Sequence, residues 1–168
     1  MTYGMKITTL ITTLFLSSIA LAHVSLEPKT AAAGGYAKLT FRVPHGCDGS
    51  ATTSITVQIP ENSLSVKPQV NPGWKITTKK VKLAQAITSH GKEITETLSE
   101  VTWSGGLLPD EHMDEFGLSI KLPETKETKL IFPVIQKCKK GESKWIEGAD
   151  DKMPAPSINL TPAEHKHH

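Results

Sequence analysis

The chain is short of several things that would narrow its role at once. Aromatic residues make up 5% of its 168 residues, and neither sign of charge prevails, with 19 Lys and Arg against 17 Asp and Glu. A nucleic-acid-binding protein shows a basic stripe interleaved with stacking aromatics. Scattered lysines and scarce rings set that class aside. There are only two cysteines, Cys47 and Cys138, and their separation is nothing like the Cys-x-x-Cys pair of a zinc site. Long apolar runs are missing too. The most apolar stretch, Ile7 to Ile19, falls short of the roughly 20 residues that span a bilayer and is diluted by Thr and Ser. No stable membrane span is expected beyond it.

What is present begins with a leader. Lys6 is the only charge in the first 22 residues, the apolar stretch follows it, and Ala20-Leu21-Ala22 closes it with small side chains at the two positions that signal peptidase reads. The expected cut falls between Ala22 and His23. Residues 1–22 then form a cleaved signal peptide, 23–150 one domain of sufficient size for a single core, and 151–168 an extended tail. Export places the mature protein in the periplasm or outside the cell. In an oxidising compartment a Cys47–Cys138 disulfide is the first expectation. It closes a loop of about 90 residues and stabilises by about 4 kcal/mol in the chain-entropy model. A thiolate metal site is the rival.

The mature sequence reads as short alternating segments separated by turn residues, the pattern of strands rather than helices. Val24 and Leu26 alternate with Ser25 and Glu27 before Pro28. Tyr36 to Val43, Ser54 to Ile59, Leu64 to Val66, Trp74 to Thr78, Phe116 to Leu122 and Lys129 to Val134 follow. Lys80 to Ile87 and Glu93 to Trp103 suggest a long hairpin turning at His90-Gly91, with helix an alternative for Val81 to Ile87. Pro133 argues for an edge or a bulge. From Gly148 onward the sequence is polar, proline-rich and aperiodic, which predicts the tail. An antiparallel β-sandwich of immunoglobulin or cupredoxin-like architecture explains the pattern most simply.

A chain that begins with His offers a terminal amine and imidazole Nδ1 from one residue, and the two can close a chelate ring on a single metal ion. Both nitrogens yield their protons to a metal readily near neutral pH. Nitrogen ligands with a carboxylate favour Cu(II), which tops the divalent affinity series. The bland alternative is an arbitrary residue at a frayed terminus. Residues 23, 25 and 27 share one face of a strand, which makes Glu27 a candidate carboxylate; a solvated edge residue is its plain reading. Asp48, in the turn His45-Gly46-Cys47-Asp48-Gly49, is the other candidate, although turn chemistry alone accounts for Asp and Gly there. Trp74, Trp103 and Trp145 are each core candidates first. An indole beside a metal ion also supplies cation–π attraction and excludes water, and the sequence does not choose among the three.

In their order, these pieces resemble the YcnI-like copper-binding domain family, formerly a domain of unknown function. The pieces are the leader and His23-Val24-Ser25-Leu26-Glu27-Pro28, Tyr36 to Pro44, the HGCDG turn, Ile59-Pro60-Glu61, Pro72-Gly73-Trp74, Val101 to Gly106, Asp114-Glu115-Phe116 and the late Trp145. The resemblance implies a β-sandwich that binds Cu(II) through the amine and ring of the first mature residue, here His23. It also implies a nearby carboxylate and a tryptophan, the latter mapping to Trp145. The carboxylate stays open between Asp48 and Glu27. The HGCDG turn and the paired cysteines mark a variant within that family.

Three functions follow as expectations. The first is a non-enzymatic exported protein that handles copper, passing it to another exported copper-handling protein. The second is a copper-dependent oxidase of the two-histidine-brace type, which needs a partner for His23 among His45, His90 and His112. The third is a structural sandwich without metal. His165, His167 and His168 offer loose metal capture at the end of the chain, and Met113 alone makes no thioether cluster for Cu(I).

Overall fold

The computed structural model describes residues 23–146 and 153–163, and those residues are built from strands without a helix. In chain order the strands are β1 (Ser25–Glu27), β2 (Thr30–Ala32), β3 (Tyr36–Val43), β4 (Thr52–Gln58), β5 (Leu64–Pro68) and β6 (Lys75–Ser89). There follow β7 (Lys92–Leu108), β8 (Asp114–Lys121), β9 (Lys129–Ile131), β10 (Val134–Cys138), β11 (Glu142–Trp145) and β12 (Ser157–Thr161). They pair into a four-stranded sheet in the order β1-β3-β8-β5, a five-stranded sheet β11-β10-β4-β7-β6, and a small sheet β2-β12-β9.

Alternation decides which face turns inward. In β3, Leu39, Phe41 and Val43 are fully buried while Lys38 and Arg42 point outward. Its neighbour β8 answers with Phe116 and Leu118, opposite Phe41 and Leu39. From the five-stranded sheet, Ile55 and Val57, Val101 and Trp103, and Val134 fill the other side of one shared core. Two sheets that each bury one face against the other make the expected all-β sandwich. Burying each such side chain contributes about 1.5–3 kcal/mol. The two packed faces therefore outweigh the disulfide, which does form between Cys47 and Cys138 with Cα atoms 6.0 Å apart. The thiolate alternative falls with that bond.

One open alternative closes in favour of the expected hairpin, and two expectations change. Val81 to Ile87 is strand, not helix: it lies within β6, whose partner β7 pairs with it across a register shift between Lys82 and Ile87. Cross-strand pairing overrides the weak helical pattern. Lys129 to Val134 is not one strand, because the chain leaves the small sheet after Ile131 and joins the five-stranded sheet at Val134. Pro133 sits at the crossing, where the missing N–H is not needed, and its carbonyl accepts from Gln58 N at 2.9 Å. Finally, the segment read as a tail supplies β12. Ile158 and Leu160 are buried, and the strand runs parallel to β2 and antiparallel to β9.

Candidate metal centre

β1 and β11 are the outermost strands of their respective sheets, so both stand at the sandwich's side seam. In β1 the inward positions, Val24 just before it and Leu26 within it, are both buried. At about 1.5–3 kcal/mol each, they pin the segment to the core, so His23 is not at a frayed end. The antiparallel register Ser25↔Arg42 and Leu26↔Phe41, continued by two residues, brings His23 beside Pro44, where the HGCDG turn begins. From the other sheet comes Trp145, the last residue of β11, paired with Val134 of β10. The His23 and Trp145 rings lie 5.6 Å apart between centroids, tilted by 54°. His23 is half-buried, and its Nε2 is enclosed without a hydrogen-bond partner.

One of the three tryptophans lies against His23. Trp103 is a core residue whose Nε1 donates to Gln69 O at 3.0 Å. Trp74 stands edge-on to Phe116, with ring centroids 5.0 Å apart. It lies so close over Gly106 that a Cβ there would clash with the indole. Both are explained by packing. Trp145, only 4% exposed, is the indole that faces the histidine.

Beneath it sits a residue that the sequence reading missed. Gln136 in β10 is 1% exposed. Its Nε2 donates to His45 O at 2.7 Å and to Thr52 Oγ1 at 2.8 Å, while its Oε1 accepts from Trp145 Nε1 at 3.1 Å. The available signal was phase: in Val134–Cys138 the inward positions are Val134 and Gln136, and an amide on the apolar face of a strand needs partners.

Both carboxylate candidates have local roles of their own. Asp48 occupies a left-handed conformation, φ 48°, followed by Gly49 at φ 79°. Cys47 and Ser50 exchange backbone hydrogen bonds of 2.9 and 2.8 Å around them. That is a tight two-residue hairpin turn, for which Asp-Gly is the preferred pair, and the exposed Asp48 borders a cleft with Lys139 and Lys140. Glu27 pairs with Lys29 at 3.2 Å with its side chain 56% exposed. It does share a face with His23, yet four residues of extended chain rise about 13 Å, far beyond two ligands of one ion.

Of the other histidines, His90 stands well away from this seam. His90 lies at the β6–β7 turn, where Nε2 and Tyr36 Oη are 3.1 Å apart. Tyr36 begins β3, and His23 lies near the other end of that strand, roughly 23 Å away by its rise. His112 sits in a turn closed by its own N–H on Pro109 O. His45 engages Gly46 O through Nδ1 at 2.6 Å. Among the described residues no three His, Cys, Asp or Glu side chains converge as a metal cage. A metal at this seam would be held chiefly by the two nitrogens of His23, a donor set that requires no such cage. Met113 is exposed, and His165, His167 and His168 lie outside the described residues.

Comparison with known proteins agrees with this architecture. The copper-binding protein CutI of Bacillus subtilis (strain 168) is 26% identical over 152 residues, covering 90% of this chain and 68% of that protein. A crystal structure of an uncharacterized protein from Nocardia farcinica, described as having an immunoglobulin-like fold, superposes with a TM-score of 0.60. It is 29% identical and covers 85% of this chain and 99% of that one. A family model described as a domain of unknown function, DUF1775, matches residues 23–160. That span takes in both sheets, His23 and Trp145, and the chain belongs to this family, the YcnI-like family that its motifs resemble.

Proposed function

We propose that the protein is exported, that leader cleavage frees the amine of His23, and that this amine and imidazole Nδ1 then hold Cu(II) at the seam between the sheets. The observation that carries the reading is the His23–Trp145 contact. A metal on Nδ1 fixes the ring proton on Nε2. The indole limits water on one side of the ring and offers its negative face to a cation. Support also comes from the similarity to CutI, a copper-binding protein, and from a family match that begins at His23, the residue after the expected cut.

The proposed role is binding and handover of copper, in the periplasm or outside the cell, to another exported copper-handling protein; no reaction is catalysed. The edge position suits such a role, because a seam ligand is reachable by a partner surface while a core ligand is not. The test is Cu(II) titration of the processed protein and of its His23→Ala variant, which keeps the free amine and removes the ring. Binding weakened at least about a hundredfold, or about 2.7 kcal/mol, supports the reading. Equal affinity contradicts it.

A further inference from the structure

We infer that Gln136 is the positioning residue that holds the indole of Trp145 against His23, so that the metal site depends on a carboxamide that binds no metal. The inference rests on the copper reading for its functional consequence and on the hydrogen bonds alone for its structural one. A buried amide without partners costs several kcal/mol, and Val or Leu would pack this inward strand position without that cost. The amide is instead fully engaged, by groups from three separate parts of the chain. His45 lies in the turn after β3, Thr52 opens β4, and Trp145 closes β11.

The asymmetry of the carboxamide gives the arrangement a direction. The His45 carbonyl only accepts, so the NH2 end of Gln136 must face it. The Thr52 hydroxyl receives the other N–H at 2.8 Å. With both donors committed on one side, Oε1 is turned to the indole N–H and cannot exchange places with Nε2. One orientation of Gln136 therefore selects one orientation of the Trp145 ring plane. The disulfide reinforces it: Cys47 lies two residues after His45 and Cys138 two residues after Gln136, so the covalent bridge and the amide bind the same turn to the same strand.

The test uses the full processed chain and needs no metal for its first arm. In Gln136→Met, which keeps the length and removes the donors and acceptor, the Trp145 indole N–H resonance shifts, and so do the His23 ring protons that feel its ring current. The Trp145 signal is identified by its loss in Trp145→Phe. The Trp103 indole N–H, bonded to Gln69 O, stays in place and reports an intact core. Should Gln136→Met fail to fold, Thr52→Val removes one anchor of the amide at constant size and gives a smaller shift of the same signals.

In the second arm, Gln136→Met changes the Cu(II) electron paramagnetic resonance spectrum in the same direction as Trp145→Phe. The double variant changes it no further, the non-additivity expected of residues acting as one unit. Unmoved Trp145 and His23 signals in a folded Gln136→Met protein overturn the inference. So does a Cu(II) spectrum altered by Trp145→Phe but not by Gln136→Met. A protein that binds no Cu(II) at all overturns the copper reading instead, and leaves the first arm to decide the positioning.

Discussion

His23 and Trp145 join the outermost strands of two different sheets: the histidine precedes β1, the edge of the four-stranded sheet, and the indole ends β11, the edge of the five-stranded one. Their 5.6 Å contact thus bridges the side of the sandwich, where a metal would be bound at a seam and not within a layer.

Replacing Trp145 by Phe keeps an aromatic ring but removes the N–H that Gln136 Oε1 accepts. An orphaned buried acceptor costs about 1–3 kcal/mol, so urea unfolding should register a loss of that size. Cu(II) bound at His23 should quench the emission of the unaltered protein and quench the variant clearly less, because Trp103 lies in the core and Trp74 packs half-buried against Phe116. Undiminished quenching would place the metal away from this seam.

Glu27→Gln and Asp48→Asn should leave Cu(II) affinity within about twofold, less than about 0.5 kcal/mol. Glu27 is engaged with Lys29, and Asp48 serves a tight turn. Loss of an order of magnitude in either variant would identify that side chain as a ligand.

Ile158→Ala tests whether the proline-rich terminal segment is part of the fold. The side chain is fully buried in β12, and a large-to-small change in a core costs about 2–5 kcal/mol. A solvated tail would lose nothing, so an unfolding midpoint equal to that of the unaltered protein would contradict the pairing of β12 with β2 and β9.

Converting both cysteines to Ser should lower stability by up to about 4 kcal/mol, the chain-entropy value for so long a loop. The fold itself should survive, since two apolar faces hold it. Far-ultraviolet circular dichroism of the double variant checks this: retained strand signal is expected, and collapse to a disordered spectrum would assign the fold to the disulfide.

Much of the fold was legible because strand alternation is local. Tyr36 to Val43 carries its inward set, Leu39, Phe41 and Val43, in the sequence itself, and the observed strand has those limits. β12 was not legible, because Ile158 and Leu160 stand among Pro154, Pro156 and Pro162 and gain their burial only from partner strands 26 or more residues distant. The site was legible in part. His23 stood out by its place after the leader, whereas period two fixes which face Glu27 shares and says nothing of its separation along the strand. Gln136 gave only a weak signal, since an amide's worth depends on partners that the sequence scatters across β4, β11 and the turn after β3.

The central claim is that the free amine of His23 is half of the metal site. Cu(II) affinity of protein beginning at His23, set beside that of the same protein with one extra Gly before it, tests this most directly, because the extension turns the amine into an amide and leaves the ring intact. The account predicts an affinity lower by at least about a hundredfold in the extended form, or about 2.7 kcal/mol. Equal affinities would contradict it.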